Sequence, residues 1–146
     1  MSASNAFETD QLKHIFQNTA ITLIGDAAGV LPSAGAGSLY IGLCTADPGE
    51  AGTQSTNEAT YTGYARVAVA RTSAAWGVTN GVASNLAVIT FPACTGGSNT
   101  ITHFSIGTSL SGTGYLLYKG ALTGSLAVSN LIEPTFPASA ITVTLD

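Results

Sequence analysis

The feature that most limits the fold is a change of hydrophobic period. Up to Leu23, apolar residues recur three and four positions apart; from Ser38 onward they alternate with polar ones in short runs. Turns rich in Gly, Asn and Pro interrupt these runs at near-regular intervals. A chain patterned this way builds one helix and then a set of short strands. The sharpest turn signal is Asn80-Gly81. A two-residue hairpin turn of the primed type needs positive φ at both positions, and Asn-Gly tolerates that.

The helical pattern predicts a helix over residues 5–24. Asn5 stands at the N-cap with Glu8 three residues on, and Leu12, Ile15, Phe16, Thr19, Ala20 and Leu23 form the buried stripe. Gly25-Asp26 should end it, and the small, Gly- and Ala-rich stretch 27–37 reads as a linker. Leu39, Ile41 and Leu43 then share a strand face, and Asp47-Pro48-Gly49 makes a turn. Residues 50–62 read as a polar surface loop. A strand over Tyr64–Arg71 is expected to continue through Trp76 and Val78, and Asn80-Gly81 should join it to a strand over Val82–Phe91.

Further strands are expected in four places. One passes through Ile101, His103 and Ser105, with Thr102, Phe104 and Ile106 on its other face. One covers Tyr115–Leu122. One covers Leu131–Phe136, with Pro134 confining it to an edge or a bulge. The last alternates Ile141, Val143 and Leu145 with threonines. These elements predict a mainly β fold in one domain, 1–146: a two-sheet β-sandwich, of which a jelly roll is one arrangement, with a single N-terminal α-helix (5–24) and a linker (27–37) ahead of the sandwich (38–146).

Composition bears on what such a domain meets. Only 8% of residues are charged, against about 25% in ordinary soluble domains. A compact monomer of this mass exposes about 6,900 Å², or roughly 600 Å² for each charged side chain. A surface this neutral suits contact with other protein subunits. Several strands are also apolar on both faces, as at Tyr115-Leu116-Leu117-Tyr118, and carry few of the lysines that guard sheet edges.

The net charge of −4 and the scattered Lys13, Arg66, Arg71 and Lys119 form no basic patch, so no nucleic-acid partner is expected. The acidic start and the short apolar stretch around Ile21–Ile24 predict neither a signal peptide nor a membrane span. The chain is therefore expected to be made in the cytosol, or released only within a larger particle.

Chemistry-bearing residues are sparse. His14 and His103 have no Cys, Asp or Glu at dyad spacing, and Cys44 and Cys94 read as buried thiols instead of a disulfide or zinc ligands. Asp47, Glu50 and Glu58 lack the ligand alternation of a calcium loop. Thr95-Gly96-Gly97-Ser98 and Ser111-Gly112-Thr113-Gly114 lack the following Lys-Ser/Thr of a phosphate cradle and read as turns. Tyr40, Tyr61, Tyr64, Trp76, Tyr115 and Tyr118 could line a sugar site, although core packing accounts for them as well. No catalytic, metal or cofactor site is expected. The candidate interface is the helix, through Phe7, Leu12, Ile15 and Phe16, packed on a neighbour or on its own sandwich.

Several segments resemble a family of small tailed-phage and prophage structural proteins. They are Asn5-Ala6-Phe7-Glu8, Leu39 through Glu50, Tyr64 through Val69, Phe91-Pro92-Ala93, Thr102 through Gly107 and Leu116 through Leu122. Members are often labelled tail-fibre proteins, and the resemblance implies a virion protein with no chemistry of its own. A fibre shaft is long and repetitive, whereas this chain is short and shows no repeat. The expectation is therefore a capsid decoration, or cement, protein on the capsid surface. It would bind the major capsid protein and neighbouring copies of itself, as a homo-oligomer for which a trimer suits the threefold positions of a shell. A tail-fibre or head-fibre module is the alternative, and a carbohydrate-binding module the second.

Overall fold

The computed structural model describes residues 2–145. One helix, α1 (Asn5–Gln17), precedes strands β1 (Ser38–Cys44), β2 (Val67–Ala70), β3 (Trp76–Thr79), β4 (Val82–Asn85) and β5 (Ile89–Thr90). Then come β6 (Asn99–Gly107), β7 (Leu116–Val128), β8 (Thr135–Phe136) and β9 (Thr142–Thr144). They form three sheets, ordered β2-β1-β6-β7, β3-β4-β9 and β5-β8. The fold is mainly β with antiparallel sheets and one helix, consistent with a β-sandwich. The chain divides into two compact units: Met1–Ser38 with Ala70–Val88 and Phe136–Asp146, and Leu39–Val69 with Ile89–Thr135.

The first unit joins α1 to the sheet β3-β4-β9. Leu12 and Phe16 are fully buried, and the Phe16 ring meets fully buried Trp76 with centroids 4.6 Å apart. Each such side chain contributes about 1.5–3 kcal/mol by leaving water. The Asn80-Gly81 expectation holds: both residues have positive φ, 49° and 73°, and Thr79 pairs with Val82 across the turn. Ile141 and Val143 are buried while Thr142 and Thr144 face out, which is the alternation read from the sequence.

The helix departs from expectation at both ends. Ser4, one residue before Asn5, is the N-cap, its hydroxyl accepting from Phe7 N–H at 3.4 Å. The C-terminus falls at Gln17 and not at residue 24, because Asn18 takes a left-handed conformation (φ 52°) and Thr19 N–H turns back to Lys13 O. Arg71 then occupies the exposed end of the helix. Its guanidinium donates to Ile15 O at 2.6 Å, His14 O at 2.7 Å and Ala36 O at 3.2 Å. A cation there also opposes the negative end of the helix dipole. The Asn18 side chain and Ser33 backbone exchange two hydrogen bonds of 2.9 Å, so the linker is tied to the helix end.

Two expected continuous strands are broken. Ala75 N–H and Trp76 N–H both reach back to Thr72 O, a turn that separates β2 from β3. Val82–Phe91 divides into β4 and β5 because buried Asn85 turns its side chain onto the backbone. Its amide donates to Ala87 O and Pro137 O, both at 2.8 Å, and accepts from Ile141 N–H at 2.9 Å.

The second unit is framed by β1 and β6, paired from Tyr40↔Gly107 to Cys44↔His103. The alternation expected through Ile101, His103 and Ser105 is interrupted. Ile101 pairs with Leu126 and His103 with Ala121, so Leu122–Ser125 bulge opposite Thr102. That bulge carries β7 on to Val128, beyond its expected end. Pro134 leaves only Thr135–Phe136 of the expected 131–136 strand. The loop 50–62 is less superficial than its polarity predicts. Gln54 is fully buried, accepting from Ser109 N–H at 2.9 Å and donating to Tyr40 O at 3.2 Å.

At the centre of this unit Arg66 is almost wholly buried. It meets both Glu58 carboxylate oxygens, at 2.6 and 2.7 Å, and donates to Ser109 O at 2.9 Å and Gly112 O at 2.7 Å. The Glu58 carboxylate beside it raises the Arg66 pKa above its ordinary value. Glu58 also accepts from the Tyr64 hydroxyl at 2.8 Å.

Replacing Arg66 with Met should cost about 3–5 kcal/mol, because Glu58 is left unpaired among buried neighbours. Urea unfolding checks this, with the Arg66→Met/Glu58→Leu double variant expected to recover part of the loss.

Candidate interaction surface

The residues with the most chemistry are turned inward. Cys44 and Cys94 are both buried free thiols. Burial pushes the Cys44 thiol up to about 11, so the nucleophilic thiolate is suppressed. His103 lies across from Cys44 in the ladder, but its Nδ1 sits 2.9 Å from the Thr102 hydroxyl. His14 Nδ1 lies 2.8 Å from Thr19 O at the helix end. No group of three or more His, Cys, Asp or Glu side chains comes together for a metal among the described residues.

Most of the aromatic residues are turned inward as well. Trp76 and Tyr61 are buried, and burial pushes the Tyr61 phenol up to about 12. Tyr64 stacks on Phe91 with ring planes 9° apart. Of the six residues considered, only Tyr115, at 71% relative exposure, is open to solvent.

The Asp47-Pro48-Gly49 turn forms as expected, with Gly49 at φ 73° and its N–H donating to the Asp47 carboxylate. That bond, together with Lys119, holds the Asp47 carboxyl below the usual range. Lys119 Nζ bridges Asp47 at 3.0 Å and Glu50 at 3.2 Å, beside a shallow cleft lined by Gly49, Glu50 and Leu116–Lys119. An exposed cluster of this kind adds little stability.

Several large apolar side chains are instead turned outward. Of the helix residues expected at an interface, Leu12 and Phe16 lie in the core, Ile15 is half-buried, and Phe7 alone is exposed, at 36%. The sequence pattern missed the more exposed positions. Leu23, counted into the helix stripe, is 80% exposed, with Ile24, Val30 and Leu31 close by in the chain. Leu131 is 81% exposed, beside Ile132. Both leucines have left-handed backbone, at φ 68° and 71°. That conformation costs an L residue with a Cβ about 1–2 kcal/mol. Nothing in the hydropathy signals it, since φ is set by the closing hydrogen bonds of each turn.

A sequence model of one protein family, described as podophage GP4 fiber I protein gp80, matches residues 2–144. No curated protein matches the chain.

At pH 8 neither thiol of the native protein should react with a disulfide reagent, and both should react after unfolding in urea. Because the Cys44 thiol is raised in the fold, its contribution to stability is complete below the ordinary thiol value of 9.0. It is lost as pH climbs from there towards 11, so melting temperature should fall over that range, and less so in Cys44→Ala.

Proposed function

Because the chain belongs to the podophage GP4 fiber I protein gp80 family, and is thus a phage structural protein of the virion, we propose that it is a non-catalytic module of a fibre. It is held there by neutral, apolar contacts and not by charge. The observation that carries this reading is the exposure of Leu23, Leu31, Leu131 and Tyr115 on a chain with only 8% charged residues. Such side chains are covered when subunits meet. The partners are other virion proteins and neighbouring copies of the chain.

The family match favours the fibre over the capsid decoration expected from composition. Composition could not separate the two, because a shell contact and a fibre contact both bury neutral surface. Shortness is no obstacle either, since a fibre can be assembled from short subunits.

Quantitative mass spectrometry of purified particles of the encoding phage, with immunogold labelling, tests this. A few copies per particle, labelled on an appendage, is the expected result. Hundreds of copies spread over the head would restore the decoration reading, and absence from particles would remove the virion role.

A further inference from the structure

We propose that Asn80 is a latent deamidation site held shut by α1, and that losing its amide records and then fixes an undocking of the helix. Asn80-Gly81 is the chain's single Asn-Gly pair. Asn80 lies exposed at the tip of the β3–β4 hairpin. Glycine carries no Cβ beside its backbone nitrogen, so that nitrogen reaches the preceding carboxamide carbon more easily than in any other residue. In the reaction Gly81 N gives up its proton and attacks Asn80 Cγ. A C–N bond forms, the bond from Cγ to Nδ2 breaks, and the leaving nitrogen takes up a proton and departs as ammonia. The cyclic imide then takes up one water and opens to aspartate or isoaspartate. Water enters, ammonia leaves, and a neutral side chain becomes a carboxylate.

The fold blocks the first step. Gly81 is buried, and its N–H donates to Thr9 Oγ1 at 2.9 Å. The Thr9 hydroxyl donates its own hydrogen to Asn5 O at 2.8 Å, so it presents a lone pair to Gly81. Gly81 O is held as well, accepting from Leu145 N–H at 3.1 Å. Ring closure demands an Asn80 backbone far from the left-handed one of this hairpin turn, where φ is 49°. To reach it, the Asn80–Gly81 peptide must rotate, which pulls its N–H off Thr9 and the Gly81 carbonyl away from Leu145. The nucleophile is out of reach while α1 sits on the hairpin.

Leu12 and Phe16 fasten α1 to the same sheet, Phe16 against Trp76, so undocking exposes core side chains together with the Gly81 N–H. Once it has happened, the product opposes its reversal. Glu8, itself buried, brings Oε2 to 3.1 Å from where a Cβ on Gly81 would stand. A carboxylate gained on the adjoining residue meets a like charge nearby when the helix returns. Isoaspartate adds a second obstacle. Its Cβ enters the main chain, so the lengthened turn no longer matches the Thr79↔Val82 register.

The test incubates the purified chain at mildly alkaline pH, folded and in urea. Residue 80 is followed by peptide mass spectrometry, and hydrogen exchange at Gly81 is read in parallel. Folded wild type should deamidate at least about tenfold more slowly than the unfolded chain. Thr9→Val, which removes the acceptor and keeps the shape, should speed the folded protein roughly three- to tenfold. Thr9→Ser, which keeps the hydroxyl, should retain the wild-type rate. Across sub-denaturing urea, deamidation of the wild type should rise in step with Gly81 exchange, a readout that needs no variant. Deamidated protein, separated by ion exchange, should show faster exchange through α1 than unmodified protein. Equal rates in folded and unfolded wild type overturn the gate, as does deamidation that fails to follow Gly81 exchange. A folded Thr9→Val as slow as wild type, or Thr9→Ser as fast as Thr9→Val, overturns the latch. Unchanged exchange in α1 after deamidation overturns the fixing of the undocked state.

Discussion

A guanidinium group can leave water only if its donors are met; this chain buries Arg66 on those terms and half-buries Arg71. Arg66 faces Glu58 and two loop carbonyls, while Arg71 faces the last carbonyls of the helix and the linker. Much else follows from these two side chains. Arg66 draws the 108–114 turn to the 50–62 loop, where buried Gln54 completes the attachment. Arg71 caps the last carbonyls of the helix, which the left-handed Asn18 brings to an end. With only four Lys and Arg in the chain, using two as internal fasteners leaves an exterior nearly bare of positive charge.

That exterior is the functional statement the molecule makes. The reactive groups are withdrawn: Cys44 is buried with its thiol held protonated, and Tyr64 has its phenol tied to Glu58. Among the side chains left outside are Leu23, Ile24, Leu31, Leu131 and Ile132. Membership of a phage fibre family makes the chain a structural protein of the virion. The neutral composition and the family both favour a structural role, and the family match favours the fibre over the head.

Much of the fold was legible in the residues. The helical stripe of Leu12 and Phe16, the Asn80-Gly81 hairpin, the Asp47-Pro48-Gly49 turn and the alternation at Ile141 and Val143 are local patterns, and each formed where its spacing placed it. The errors fell where a distant group intervened. The helix lost its last turns to a left-handed Asn18 and a cap supplied by Arg71, more than fifty positions away in sequence. The Val82–Phe91 strand was cut by Asn85, whose side chain bonds to residues around position 140.

The exposed apolar residues showed the same division. Hydropathy marked the helix as the apolar surface, yet periodic residues are periodic because they pack, and Leu12 and Phe16 went into the core. The sequence by itself determined the mainly β class, the single helix, the turns and the scarcity of charge, because these depend on spacing and composition. Tertiary structure alone decided which apolar side chains face solvent and which backbone positions are left-handed. Exposure and φ at Leu23 follow from hydrogen bonds that close a loop between Ile21 and Val30, and such closure depends on the whole surrounding fold, which no local pattern encodes.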